Sequence, residues 1–278
     1  MPRARLWPVI QVTGAAGQLG RQLVARGASP LTVDITDAEA VLDAVAPGAV
    51  VINCAAYTKV DAAETDEAAA FEVNATGAGN VAAACRARGA RVIHVSTDYV
   101  FDGTATVPYE PGDPTGPATA YGRTKLAGEQ LIGAAGTSST IVRTAWVYTG
   151  AGSDFVATML RLESERDTLD VVDDQIGSPT YSGDLADGLL ELSGIDAPPV
   201  LHLTNAGQAS WFELARAVFE EIGADPQRVR PCTSAQFVRP APRPKYSVLS
   251  LRAWSAAGLT PPRPWRDALR AAMDRVGA

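Results

Sequence analysis

Tyr121 and Lys125 are the residues whose types and spacing most directly suggest chemistry. They stand four positions apart in AYGRTKLAGE, a run with the composition of a helix, so both side chains would lie on one helical face. A tyrosine hydroxyl has a pKa of about 10, and a lysine cation one turn away would lower it toward neutral pH. The pair is weak evidence by itself, because an exposed helical pair with this spacing is common.

A glycine-rich stretch supplies the second candidate. TGAAGQLG places Gly14, Gly17 and Gly20 three residues apart, after a short apolar run and at the start of a helical pattern. The first glycine would permit a tight turn, the second would let the backbone approach a pyrophosphate, and the third would allow close packing of helix and strand. This context predicts a dinucleotide-binding turn, with a purely structural turn as the alternative.

These candidates need elements that hold them together. Apolar runs with β-branched residues predict buried strands at 7–14, 49–57, 91–101 and 139–148, with helical patterns between them. Alternating strands and helices are typical of an α/β fold with a Rossmann-like, doubly wound parallel sheet. Further along, residues 210–224 predict an amphipathic helix with Ser210 as its N-cap.

The pattern changes after about residue 150. Predicted strands become fewer, and prolines and arginines cluster at 238–247 and 260–265. We expect a nucleotide-binding lobe over residues 1–150, to which some later segments return. A smaller substrate-binding lobe would consist mainly of residues 151–278.

Composition excludes several classes of function. The chain has 278 residues and a net charge of −7, with none of the basic stretches that nucleic-acid binding requires. The cysteines Cys54, Cys85 and Cys232 have neither disulfide nor zinc spacing, and His94 and His202 each lie within an apolar run. No apolar run is long enough to span a membrane, and the N-terminus does not read as a signal peptide. We therefore expect a cytoplasmic protein without a metal site.

Further motifs, in chain order, resemble those of the extended short-chain dehydrogenase/reductase superfamily and, within it, the dTDP-4-dehydrorhamnose reductases. The most specific are STDYVFDG (96–103), YGRTKLAGE (121–129) and DQIGSPT (174–180), and the matching pieces run along almost the whole chain. The resemblance implies reduction of the 4-keto group of dTDP-4-dehydro-L-rhamnose to dTDP-L-rhamnose, for cell-envelope polysaccharide. It implies NADPH as the cofactor, with NADH possible.

The resemblance also implies roles for individual residues. Tyr121 would donate the proton, Lys125 would tune it and bind the nicotinamide ribose, and Thr97 would hold the carbonyl oxygen. The residues expected at the cofactor are Gly14, Gly17, Gln18, Leu19, Gly20, Asp34, Ile35, Asn53, Cys54, Ala55, Ala56, Tyr57, Tyr121 and Lys125. Those expected at the dTDP-sugar are Thr58, Val60, Ser96, Thr97, Asp98, Tyr99, Trp146 and Arg243. Simpler readings are strand-end capping for Ser96 and Thr97, a core position for Trp146 and a solvated side chain for Arg243.

Asp34 raises a conflict about the cofactor. Its distance from Gly14 suits the acidic residue that ends a second strand and binds the adenosine ribose, which would favour NADH. The resemblance instead assigns DITD (34–37) to the next strand, where it flanks the adenine, and implies NADPH. The segment between Gly20 and Asp34 is shorter than in such enzymes, so the second strand is either reduced or has lost its edge.

Two alternatives stay open. The protein could be a 4-ketoreductase of another dTDP-deoxysugar, since the same catalytic residues would serve. It could also be a non-catalytic, nucleotide-binding regulatory subunit of the same fold, although intact Thr97, Tyr121 and Lys125 favour an enzyme. Because no acidic residues match a metal-linked dimer, we expect a monomer or a weak homodimer.

Overall fold

The computed structural model describes residues 9–276, so residues 7 and 8 of the predicted first strand lie outside it. The strands are β1 (Ile10–Thr13), β2 (Ser29–Pro30), β3 (Val50–Asn53), β4 (Arg91–Thr97), β5 (Ser139–Thr144), β6 (Val147–Tyr148), β7 (Leu169–Val172), β8 (Ile176–Gly177), β9 (Thr180–Tyr181), β10 (Val200–His202), β11 (Ala209–Ser210) and β12 (Val229–Cys232).

Helices connect most of these strands. They are α1 (Gln18–Val24), α2 (Ala38–Ala44), α3 (Val60–Ala63), α4 (Glu67–Phe71), α5 (Ala78–Ala87), α6 (Ala120–Ala134), α7 (Phe155–Glu165), α8 (Ser182–Ser193), α9 (Trp211–Glu221), α10 (Arg252–Ala256) and α11 (Trp265–Val276). A π-helical segment, Glu72–Gly77, precedes α5, and 3₁₀ turns cover Asp98–Val100, Pro226–Arg228 and Ser234–Gln236.

The central sheet is parallel and has the order β10-β5-β4-β3-β1-β2. The order reverses at β1, which has β2 on one side and β3 on the other. In doubly wound folds the crevice outside the carboxyl ends of the strands at such a reversal binds ligands. The predicted α/β fold with a doubly wound parallel sheet is confirmed.

Helices cover both faces of this sheet. Val12, Ile52 and Ile93 point to one face and pack in one core cluster with residues of α1 and α8. Val51 and Val92, on the adjacent positions, point to the other face and pack in a cluster with residues of α2, α5 and α6. Alternate residues of each strand therefore enter different apolar layers, which explains the nearly continuous apolar runs.

The second strand is short. β2 has two residues and pairs with Gln11 and Val12 of β1 at the edge of the sheet. Pro30 lacks a backbone N–H, and an edge position tolerates this loss. Of the two options for the shortened segment, the structure shows a reduced second strand.

The run at 139–148, predicted as one strand, is interrupted. β5 ends at Thr144, and Trp146 has a φ of 47°, in the left-handed region that a bulky residue rarely adopts. The chain then turns out of the large sheet, and β6 pairs with β9 instead. The interruption places Trp146 beside the crevice.

The C-terminal part contains a second apolar core, formed by α7, α9, α11, β7 and β12 around Val218, Phe219 and Leu269. Ser210 caps α9 as predicted, in a reciprocal capping box with Glu213. The prediction that strands become fewer after residue 150 was wrong: six short strands, β7 to β12, follow that point, as many as precede it among the described residues. β10 and α8 lie with the large sheet. No helix within residues 9–276 is long and apolar enough to cross a membrane.

Candidate active site

A cavity of about 990 Å³ opens at the carboxyl ends of β1, β3, β4 and β5. Its lining includes most of the residues predicted from the sequence: Gly14, Gly17, Gln18, Leu19, Asp34, Ile35, Cys54, Ala55, Ala56, Thr58, Val60, Ser96, Thr97, Asp98, Tyr99, Tyr121, Lys125 and Trp146. Gly20, Asn53, Tyr57 and Arg243 are not part of this lining. The fold thus brings the glycine turn and the Tyr121–Lys125 pair to one space.

The glycine turn lies tightly against the chain after β3. Gly14 has a φ of 65°, and a Cβ there would come within 2.7 Å of the Ala55 nitrogen. A Cβ on Gly20 would collide with the Gly14 carbonyl oxygen, so Gly20 serves the packing of α1 on the turn. These two positions require glycine for the reasons that the motif predicted, although Gly20 itself does not reach the cavity.

Two other predicted residues stand behind the cavity wall. Asn53 is fully buried, and its side chain contacts Thr13 and His94. The backbone of Tyr57 forms two hydrogen bonds with the side chain of Asn74, which hold the segment after β3. The cofactor contacts assigned to Asn53 and Tyr57 remain predictions.

The first turn of α6 places the tyrosine. Thr119 caps the helix by accepting a hydrogen bond from the Gly122 nitrogen at 3.0 Å. Gly122 lies against the Tyr99 carbonyl oxygen, where a Cβ would collide with it. This close approach sets the Tyr121 ring edge-on to Tyr99, with ring centroids 5.6 Å apart.

Thr97 ends β4 beside the tyrosine. Its hydroxyl donates to Asp98 Oδ1 at 3.0 Å and accepts from the Tyr99 nitrogen at 3.2 Å. Burial raises the pKa of Asp98 to about 6, against hydrogen bonds from Ser247 and Thr97 that lower it. Thr97 therefore caps the following turn and also lines the cavity, and its contact with the carbonyl oxygen stays a prediction.

The phenol of Tyr121 is held in its protonated form. Burial raises its pKa to about 12, while the hydroxyl of Thr97, within hydrogen-bonding reach, acts in the opposite direction. The spacing predicted that Lys125 would lower the pKa of Tyr121, but the net shift is upward, because burial is the largest influence on the phenol. The Lys125 ammonium group is hydrogen-bonded to the Val95 carbonyl oxygen of β4.

Lys125 is 2% exposed and crosses from α6 to β4. Its Nζ donates to the Val95 carbonyl oxygen at 2.7 Å and lies 3.4 Å from His94 Nε2. Burial lowers the pKa of Lys125 to about 8, and the Glu129 carboxylate opposes that shift. The lysine therefore titrates much closer to neutral pH than an exposed lysine does.

A buried ion pair one turn further along α6 was not predicted. Arg143 of β5 donates to both Glu129 oxygens at 2.9 and 2.7 Å, and Ser96 donates to Glu129 Oε1. Both charged side chains are about 5% exposed. The spacing of Glu129, four residues after Lys125, is a signal in the sequence, but Arg143 can be matched to it only through the sheet.

Aromatic rings close the far side of the cavity. Trp146 stacks on Trp211 with ring centroids 3.5 Å apart and an angle of 6°, and Phe155 packs against Trp211 at 4.5 Å. Gly177 passes so close to the Trp146 ring that a side chain there would collide with it. Trp211 and Phe155 were missed, because they belong to helices that the sequence placed outside the site.

Arg243 stands next to a second cavity of about 360 Å³. Its guanidinium donates to Asp61 Oδ2 at 2.8 Å, and Arg239 and Phe237 line the same cavity. Tyr99, Phe155 and Trp211 line both cavities, so the two spaces adjoin. Arg243 is thus half-buried and paired with a carboxylate rather than freely solvated.

Asp34 lies four residues beyond β2 and is exposed. Its carboxylate accepts hydrogen bonds from the Thr36 nitrogen and hydroxyl at 2.9 and 2.8 Å, which lower its pKa. Lys125 is the only cation among the described residues lining the main cavity. Whichever placement of Asp34 is correct, this lining holds no basic side chain other than Lys125 that could bind a 2′-phosphate.

The remaining titratable groups do not form a metal centre. Within residues 9–276, no group of three or more His, Cys, Asp and Glu side chains could hold a metal ion. Burial raises the pKa of the Cys54 thiol to about 12, which suits a packing residue rather than a nucleophile.

The sheet order, the glycine turn and the Thr97–Tyr121–Lys125 arrangement define an oxidoreductase of the short-chain dehydrogenase/reductase class. The chain belongs to the family described as RmlD substrate binding domain, whose model matches residues 9–277.

Known proteins are similar along nearly the whole chain. A dTDP-4-dehydrorhamnose reductase of Mycobacterium tuberculosis is 56% identical over 94% of this chain and 91% of its own. A dTDP-4-keto-6-deoxy-D-glucose reductase of Streptomyces niveus is 48% identical over 96% and 97%. The crystal structure of a dTDP-4-dehydrorhamnose reductase from Bacillus anthracis in complex with NADP has a TM-score of 0.91 at 36% identity, over 96% of this chain and 98% of that one.

Proposed function

We propose that the protein uses NADPH to reduce the 4-keto group of dTDP-4-dehydrorhamnose, giving dTDP-L-rhamnose for nucleotide-sugar supply. The observation that carries the proposal is the position of Thr97, Tyr121 and Lys125 on one wall of a cavity at the reversal of the sheet order. The 56% identical M. tuberculosis reductase supports the substrate, and the NADP complex of the B. anthracis enzyme supports the cofactor.

The cavity fits a dinucleotide. It extends from the Gly14–Leu19 turn, past Asp34 and Ile35, to Tyr121 and Lys125, and a side chain at Gly14 would block the close approach of the turn. These residues and Cys54–Ala56 would hold the cofactor. When bound, the nicotinamide supplies the hydride for the carbonyl carbon.

The protein's own residues supply the proton and the orientation. Tyr121 holds a proton on its Oη, because burial keeps the phenol neutral. The proton passes from Oη to the substrate oxygen while the carbon accepts the hydride. The Thr97 hydroxyl, next to the phenol, orients that oxygen, and the stacked rings of Trp146 and Trp211 exclude water from this end of the cavity.

The adjoining cavity would take the nucleotide. Phe237 offers an apolar surface for a base, and Arg239 and Arg243 offer guanidinium groups to phosphate oxygens. Arg243 would then exchange part of its contact with Asp61 for the diphosphate. Thr58, Val60, Asp98 and Tyr99, between the two cavities and the reacting centre, are the proposed sugar contacts.

A second candidate is a 4-ketoreductase of another dTDP-deoxysugar. The S. niveus reductase supports it, because this protein is 48% identical to the chain and is named for a different sugar, dTDP-4-keto-6-deoxy-D-glucose. The proton-donating residues would be the same. The regulatory-subunit reading is weaker, since a protein that only binds nucleotides does not require Tyr121 and Lys125 together.

The test is oxidation of NADPH and of NADH with dTDP-4-dehydrorhamnose, followed by the loss of nicotinamide absorbance and by analysis of the sugar product. Faster oxidation with NADPH and formation of dTDP-L-rhamnose are expected. Turnover only with another dTDP-4-keto sugar would favour the second candidate. The ratio of the two cofactor rates also decides between the two placements of Asp34.

The proposal includes a cytoplasmic location, no nucleic-acid partner and a monomer or weak homodimer. The net charge of −7 and the free thiols of Cys54, Cys85 and Cys232 support it. Sedimentation of the full chain would test the oligomeric state.

A further inference from the structure

Three buried polar residues behind the active site form a row across the sheet. Thr13, Asn53 and His94 occupy facing positions on β1, β3 and β4, and each is at most 1% exposed. Lys125 covers the His94 end of this row. Polar side chains in an apolar layer destabilise a fold unless their hydrogen bonds are complete, so the direction of each bond matters.

Distances set the direction of these bonds. Thr13 Oγ1 lies 2.5 Å from Asn53 Oδ1, which suits a hydroxyl donor and an oxygen acceptor and is too short for an amide nitrogen. The other end of the amide, Asn53 Nδ2, therefore faces His94 Nδ1 at 3.0 Å and donates to it. Burial is the main cause that holds the pKa of His94 well below its usual range, so the imidazole is neutral.

A neutral imidazole carries one proton. Since Nδ1 accepts from Asn53, the proton resides on Nε2, which lies 3.4 Å from Lys125 Nζ. An N–H group cannot accept a hydrogen bond from an ammonium group, but it can donate to the lone pair of a neutral amine.

We propose that the row Thr13–Asn53–His94 holds the Nε2–H tautomer of His94 against Lys125 and thereby favours the neutral amine form of this lysine. His94 and Asn53 are then positioning residues of the active site. The functional part of this inference rests on the proposed reductase activity, in which Lys125 serves Tyr121.

The other neighbours of Lys125 do not replace this effect. The Val95 carbonyl oxygen and the Glu129 carboxylate favour the ammonium form, although Glu129 is engaged by Arg143. Cys54 stays a thiol and Tyr121 a phenol, because burial raises both pKa values. The Nε2–H group of His94 is thus the neighbour that, like burial, disfavours the positive charge on Lys125.

Nitrogen-15 NMR of the full chain tests the inference directly. The sequence has only two histidines and three lysines, so selective labelling gives few signals, and His94→Gln and Lys125→Arg assign them. We expect His94 to carry its proton on Nε2, and the pKa of Lys125 to lie well below the ordinary 10.5 of a lysine. A proton on Nδ1 would overturn the inference.

Asn53→Asp should reverse the direction of the hydrogen bond between residue 53 and His94. A carboxylate can only accept, so it would take the Nδ1–H of His94 and turn the Nε2 lone pair toward Lys125. The tautomer should switch, and the pKa of Lys125 should rise by at least about one pH unit. The basic limb of the pH profile of kcat should move in the same direction.

Asn74→Asp is the matched control, because Asn74 is about as buried as Asn53 but contacts Tyr57 and Thr124 instead of His94. An equal rise in the pKa of Lys125 in both variants would assign the effect to charge alone and contradict the inference. If Asn53→Asp does not fold, the wild-type spectrum still decides. These spectra need no turnover, so a wrong substrate would leave them unchanged.

Discussion

At the scale of single residues, the buried ion pair of Glu129 and Arg143 supports the catalytic helix. It fixes the turn of α6 that follows Lys125 against β4 and β5. Two desolvated charges are favourable only while they remain paired and hydrogen-bonded, which makes the pair sensitive to loss of one partner.

Arg143→Met should lower the free energy of unfolding by about 3–5 kcal/mol, because it leaves the Glu129 charge buried without a partner. Arg123→Met is the control, since the Arg123–Glu67 pair is nearly half exposed and should contribute only about 0–1 kcal/mol. Urea unfolding of both variants measures the difference. Equal, small losses would show that the buried pair does not stabilise the fold.

The sequence identified the residues whose chemistry is local to a motif and missed those defined by a partner across the fold. Thr97 could be predicted because it lies in the motif STDYVFDG at the end of a strand. Tyr121 and Lys125 could be predicted because they lie in the motif YGRTKLAGE at the start of a helix. His94 looked like a strand residue, since its partners Asn53 and Lys125 come from other elements. Trp211 could not be placed at the site without the packing of α9.

At the scale of elements, the site depends on how closely α6 approaches the chain after β4. Gly122 touches the Tyr99 carbonyl oxygen, whereas Gly133, on the same helix, has open space around it. Alanine substitutions at these two glycines therefore distinguish the effect of close packing from that of helix propensity.

Gly122→Ala should destabilise the protein by about 1–3 kcal/mol, because the new methyl group pushes α6 away from Tyr99. The displacement of Tyr121 should also reduce kcat by tenfold or more, given about a hundredfold loss for a 1 Å misplacement. Gly133→Ala should leave kcat unchanged and stabilise the helix by up to about 1 kcal/mol. Thermal unfolding and initial rates measure both. A fully active Gly122→Ala protein would contradict the role of this contact.

The strands that were predicted are those in the interior of the six-stranded sheet. The runs that became β1, β3, β4 and β5 have apolar residues for both faces of the sheet. The later strands pair in two-stranded sheets or, for β10, at the edge of the large sheet, so they are not buried on both faces in the same way. The reduced β2 contains Pro30, so its sequence reads as a loop.

At the scale of the whole molecule, buried ionisable groups couple folding to pH. Burial lowers the pKa of His202 to about 3, from an ordinary value of 6.5, and lowers that of His94 in the same direction. Both groups contribute stability that is complete above pH 6.5 and is lost as the pH falls toward the folded-state values. Asp98 acts oppositely: its folded pKa of about 6 lies above its ordinary 3.8, so its contribution is lost as the pH rises through 6.

The two histidines lose stability as the pH falls from 6.5 to 4, and only Asp98 gains it. We therefore expect the free energy of unfolding to fall over this range. Each histidine contributes up to about 1.4 kcal/mol per pH unit where only the unfolded chain binds its proton. Replacement of His202 by leucine should flatten this dependence. Urea midpoints across that pH range measure it, and an unchanged slope in His202→Leu would contradict the assignment.

The proposed reaction requires Tyr121 to donate a proton to the oxygen of the keto sugar, and Tyr121→Phe removes the group that would donate it. The variant keeps the ring that packs on Tyr99 and loses only the hydroxyl. NADPH oxidation with dTDP-4-dehydrorhamnose is compared in the wild type and the variant, beside NADPH binding measured by fluorescence. We expect rapid turnover by the wild type and a loss of at least about a hundredfold in kcat by the variant, with binding retained. Equal turnover by both proteins, or none by a wild type that binds NADPH, would contradict it.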